Sequence, residues 1–150
     1  IISLRYNMKA REMEICRMFT SDYTSDQGVQ RYATMMTMEW KDYEDFVEKY
    51  GYSHPEMFGK WASQFFMYEA LGTLLKRKIV KAETMYVLGG WGAIWAWKKY
   101  KDVIQRERSR SVVDYMSNAE FFAQEMLKVK TRNDARFKDK LETYRKTQKP

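Results

Sequence analysis

This chain contains little that would staple, break or metallate a small fold. Its 150 residues include one cysteine, Cys16, one histidine, His54, and two prolines. A lone cysteine excludes an internal disulfide, and inside a predicted helix it reads as a small buried hydrophobe rather than a reactive thiol. One Cys and one His fall short of the ligands that zinc sites of the common kind require. The long charge-free run, Thr84 to Trp97, spans fourteen residues. A helix needs roughly twenty to cross about 30 Å of hydrocarbon, so this run reads as a buried core helix, or as an interfacial or partner-facing segment, but not as a membrane span. Gly89, Gly90 and Gly92 are not followed by the Gly-Lys-Ser/Thr of a phosphate-cradling loop. No strand or hairpin signal appears either, which leaves an all-α class.

What the chain does have is positive charge, placed unevenly. Lys and Arg number 27 against 20 Asp and Glu, a formal charge of +7. Residues 1–17 carry +2, residues 18–127 carry −1, and residues 128–150 carry +6. The middle is nearly neutral, and the basic character sits at the two ends. A chain of this length forms one domain that buries about two-thirds of its unfolded surface without a staple.

Helical periodicity runs through most of it. Ile1, Leu4, Met8, Ile15 and Met18 fit a heptad stripe with Arg11 at its polar position, predicting a helix to about Phe19. Ser25 and Asp26 are candidate caps in the following loop. Val29, Ala33, Met36, Trp40, Tyr43, Val47 and Tyr50 keep steps of three and four, so they predict one long buried stripe or two collinear helices breaking near Thr37, stopped at Gly51. Trp61, Phe65, Tyr68, Gly72 and Leu75 predict a core helix starting near Pro55, with Gly72 pressed against a neighbouring backbone or large ring. Lys76, Arg77 and Lys78 fall in its last turn, at the negative end of the dipole. Glu83 to Leu88 reads as one or two turns broken by Gly89 and Gly90. Gly90, Ala93, Trp97, Tyr100 and Ile104 give the next helix its core face, with Trp91 and Trp95 off that stripe beside Lys98, Lys99 and Asp102. Ser117 and Glu120 form a capping-box pattern, with Met116 and Phe121 as its staple, ahead of a helix lined by Phe122, Met126 and Val129. The tail carries only Phe137, Leu141 and Tyr144 as a thin stripe, which predicts a solvated or partner-dependent helix. The expected architecture is a bundle of five to six helices, divided as residues 1–20, 21–129 and a basic tail 130–150.

Several landmarks recur together. They are Arg5 to Arg11 after an apolar start, Trp40-Lys41-Asp42-Tyr43-Glu44-Asp45-Phe46, and Tyr68-Glu69-Ala70-Leu71-Gly72-Thr73-Leu74-Leu75-Lys76-Arg77. Lys78-Ile79-Val80, Trp91 to Tyr100 and Tyr115 to Leu127 follow. This pattern resembles a family of short bacterial and archaeal helical domains of unknown function, whose members commonly carry one N-terminal membrane helix. The resemblance covers most of residues 1–128 and stops before the tail. It implies an all-helical cytoplasmic domain tethered to a membrane, and it brings no catalytic residues. Ile1, Ile2 and Leu4 running into Arg5, Lys9 and Arg11 fit that expectation, because a basic flank after a membrane helix lies on the cytoplasmic side.

The candidate chemistry is thin. His54 precedes Pro55 and reads as the start of a helix; an enzyme would need it gathered with Tyr68 and Glu69 in a polar pocket. Glu39, Asp42, Glu44, Asp45 and Glu48 are dense enough to hold a metal or an acid–base pair, yet apolar residues interleave with them as on a solvated helix face. No cofactor is implied. Clustered cations at Arg132, Arg136, Lys138, Lys140, Arg145 and Lys146 suit anionic lipid, an acidic protein surface or nucleic acid. With Trp91, Trp95, Lys98 and Lys99 they form the expected partner-binding set. The reading is a non-enzymatic accessory domain docking on the cytoplasmic face of a membrane or membrane protein complex, with a nucleic-acid-binding module as the alternative.

Overall fold

A computed structural model describes the backbone of residues 2–147 and the side chains of residue 3 and residues 6–142. Among the described residues there are seven α-helices, one or two more than expected, and no strand. None of these helices is long and apolar enough to cross a membrane.

Capping chemistry sets the boundaries. Helix α1 (Ile2–Tyr23) gives way to Ser25, whose hydroxyl accepts from the Gly28 amide at 3.0 Å and starts α2 (Asp26–Thr37). The periodicity of residues 29–50 does break after Thr37. Met38 is extended, and the Asp42 carboxylate accepts from the Asp45 amide at 2.9 Å to start α3 (Tyr43–Tyr50). The break resets the helical phase, so the single stripe is not what is buried. Val29 and Val47 are exposed, and Met35 and Phe46 fill the core in their place.

Helix α4 (Pro55–Lys76) begins with its proline in the first turn and buries Trp61, Phe65, Tyr68 and Gly72 as predicted. The short α5 (Ala82–Met85) widens into a π-helical turn, Tyr86–Gly90. Gly89 there has φ 106°, and a Cβ would also meet the Tyr23 ring at 2.3 Å, so only glycine fits. Helix α6 (Gly92–Arg110) follows, then α7 (Ser117–Thr147).

The core is an aromatic cluster around Tyr100. Its ring lies 4.9 Å from Trp40, 5.4 Å from Phe65 and 6.0 Å from Trp61, and its hydroxyl donates to the Met35 carbonyl at 2.6 Å. The most extensive helix contact joins α4 and α7, where Tyr68 stacks on Phe122. A Cβ on Gly72 would fall 2.0 Å from the Asn118 carbonyl oxygen, which is the close backbone approach the sequence required. The capping box does not form. Glu120 instead pairs with Arg108 at 2.7 Å, and Glu69 of α4 takes over the cap, accepting from the Ala119 amide at 2.8 Å and the Asn118 side chain at 2.7 Å. A carboxylate from a packed neighbour thus meets the positive end of α7.

Candidate docking surfaces

The first half of α6 faces two ways. Ala93, Ala96 and Tyr100 pack inward, while Trp91 and Trp95 stay 42% exposed, four residues apart on the opposite side. The run Thr84–Trp97 is therefore half core and half surface. Lys98 shares the tryptophan face and sets its ammonium 5.9 Å from the Trp95 ring. Lys99 does not join them; it turns back over Trp40 at 5.1 Å. The predicted four-residue patch is thus a three-residue one, Trp91, Trp95 and Lys98.

The tail continues α7 as an exposed helix. Phe137 is 64% exposed and Leu141 also faces solvent, along with Arg136, Lys138 and Lys140. Nearer the body the cations are partly spoken for: Lys128 pairs with Glu125, Lys130 with Asp134, and Arg132 with Glu83 on α5. Internal pairing of this kind reduces what these residues offer to phosphates. The side chains of Arg145 and Lys146 lie outside those described.

A third surface was not expected from the sequence. Between α3, the start of α4, α6 and the link before α7 lies a cleft of about 610 Å³, within the size range of ligand sites. Its floor is Phe46, Trp61, Val103 and Ile104, and its mouth is framed by Val47 and by Tyr52, whose ring rests 4.4 Å from Phe58. Three carboxylates, Glu44, Glu48 and Glu107, stand at its rim against one guanidinium, Arg110. Arg110 lies 3.9 Å from Glu44 and packs on the Tyr43 ring at 5.2 Å, while the Tyr43 hydroxyl donates to Glu107. Burial, and then the Glu107 carboxylate that accepts its hydrogen bond, push the Tyr43 phenol up to about 12. Burial also raises Tyr115, at the far wall, to about 12. Both rings enter any interaction as neutral donors and apolar faces.

Two of these residues were visible in sequence under another reading. Glu44 and Glu48 belong to the acidic patch, which does not close on a metal: Asp42 caps α3, Asp45 pairs with Lys49 at 2.8 Å, and no cluster that would hold an ion occurs among the described residues. Glu107, Arg110 and Tyr115 arrive from α6 and the link after it, and only the packing of α3 on α6 brings them to α3. His54, Tyr68 and Glu69 are not brought together. His54 is exposed ahead of α4 and makes no side-chain cap bond; Tyr68 is buried against Phe122, and Glu69 is engaged in the α7 cap. No family model, characterised protein or solved structure matches this chain.

Proposed function

We propose that the chain is a non-enzymatic helical docking module that receives a short segment of a partner protein, carrying apolar and cationic side chains, in the α3–α4–α6 cleft. The observation that carries this is the cleft itself: an aromatic floor large enough for two or three side chains, under a rim with three carboxylates and one guanidinium. An apolar anchor loses water on that floor while Lys or Arg beside it meets Glu44 or Glu48, which is how aromatic pockets with a polar rim gain both affinity and register. The proposed setting is the cytoplasmic face of a membrane protein complex, on the strength of the family resemblance and the basic flank at the start of α1. Trp91, Trp95 and the exposed tail cations would then add secondary contacts to the complex or to anionic lipid.

The test selects random peptides from a display library on the full chain and on two variants, Val47→Lys and Tyr52→Ala. Both residues are exposed at the mouth, so each variant should keep the parent melting temperature. Selected peptides should be enriched in Lys or Arg flanking Phe, Leu or Trp, and should lose binding at least tenfold to either variant, a change of about 1.4 kcal/mol. Enrichment of acidic peptides, or equal binding to all three proteins, overturns the proposal.

A further inference from the structure

Of the heptad stripe of α1, Ile15 packs against the core, while Met8 and Met18 do not. Cys16 and Phe19 are buried and Tyr23 packs against them, whereas Met8 is 60% and Met18 63% exposed. Leu4, Met8, Arg11, Ile15, Met18 and Asp22 are spaced by alternate fours and threes, the seam of a coiled coil. Ile15, Met18 and Asp22 form one wall of a groove of about 450 Å³, and Met67, Ala70 and Leu74 of α4 form the other. The described residues among the first eleven are all exposed. Met18 and the groove between α1 and α4 are open to a cover.

The charge pattern on α1 says which cover. Residues 1–11 carry three cations, Arg5, Lys9 and Arg11, and no acid; residues 12–23 carry Glu12, Glu14 and Asp22 against Arg17 alone. The self-complementarity lies in the second half of the seam. Its two charged members, Arg11 and Asp22, lie symmetrically about a point between Cys16 and Arg17. A two-fold axis there sets Arg11 of each copy opposite Asp22 of the other, and Ile15 opposite Met18. A parallel pair would stack Arg11 on Arg11 and Asp22 on Asp22. Asp22 already meets Arg31 within its own chain, yet its side chain stays 46% exposed, so an oxygen remains open to a second guanidinium.

We infer that the chain forms a two-fold symmetric dimer through antiparallel pairing of α1 along this seam, flanked by the apolar wall of α4. Such an interface is isologous, and each substitution in it acts twice. The inference rests on α1 and α4 and is independent of the cleft.

The experiment is sedimentation equilibrium of the full chain and of Arg11→Asp, Asp22→Arg and Met18→Glu variants. The parent should be dimeric. Each variant should dimerise about a hundredfold more weakly with an unchanged far-UV circular dichroism spectrum, because like charges meet twice across the axis in the first two, and in the third a carboxylate faces Ile15 twice. Met18 is exposed, so its variant keeps the test valid should Asp22→Arg disturb Arg31. An equimolar mixture of Arg11→Asp and Asp22→Arg should restore a dimer, because each Asp then faces an Arg. A monomeric parent overturns the inference. A monomeric parent that floats with phosphatidylserine vesicles, and fails to when Met18 is Glu, assigns the groove to lipid instead. A variant that dimerises like the parent, or a mixture that stays monomeric, overturns it as well.

Discussion

A few side chains of α4 and α6 decide how this chain closes on itself. Gly72 is the sharpest case. Replacement by alanine would gain up to about 1 kcal/mol of helix propensity on an open surface, but here the added methyl meets the Asn118 carbonyl at 2.0 Å. The overpacking term wins, so Gly72→Ala should lower stability by about 1–3 kcal/mol in chemical denaturation, against the propensity scale. Glu69→Ala removes the partner of the Ala119 amide and of Asn118. It should cost about 1–2 kcal/mol, read in the same way. The phenols at the cleft set an alkaline limit. Tyr43 ionises near 12 in the fold against an ordinary 10, so the folded protein holds a proton that the unfolded chain releases between those values. The contribution of this phenol is complete below pH 10 and is lost as pH rises towards 12. Melting temperature should decline over that window, and Tyr43→Phe should flatten the decline. The sequence announced the need for Gly72, because a glycine on a buried stripe asks for a close neighbour. It gave no sign that Glu69 would cap a helix fifty residues away.

At the level of elements, periodicity located the helices well and their buried faces less well. In α4, α6 and the first turns of α7 the stripe and the core coincide, since these helices are held between neighbours. In α1 Met8 and Met18 of the stripe are exposed, because α1 is packed on one side only and Cys16 and Phe19 suffice for that side. The outer half of α7 shows the same economy of contact: Phe137 and Leu141 ride on solvent. Shortening the chain to end after residue 133 keeps the Arg132–Glu83 pair, gives up the exposed Lys130–Asp134 pair, and removes residues whose described members, 134–142, are all exposed. Its unfolding free energy should change by no more than about 0.5 kcal/mol. In the full chain, amides of residues 134–142 should exchange hydrogen far faster than those between residues 119 and 129, where Phe122, Met126 and Val129 are sealed.

As a whole molecule, the protein presents an aromatic cleft with an acidic rim, an apolar groove beside α1, and a basic helical extension. The tail cations nearest the body are paired with Glu125, Asp134 and Glu83. Nucleic-acid affinity should accordingly be weak. A titration of log affinity against log salt should show a slope well short of what nine free cations would give, at about one unit per neutralised phosphate; a slope near nine would favour the nucleic-acid reading. By itself, the sequence determined the helical class, the approximate position of most helices and the concentration of charge at the ends, because these follow from local spacing and composition. Only tertiary structure decided that Glu44 and Glu48 would share a rim with Glu107 and Arg110, or that Met8 and Met18 of the α1 stripe would stay uncovered. Those outcomes depend on which helix faces lie together, and a stripe records that a face is apolar without recording what it meets.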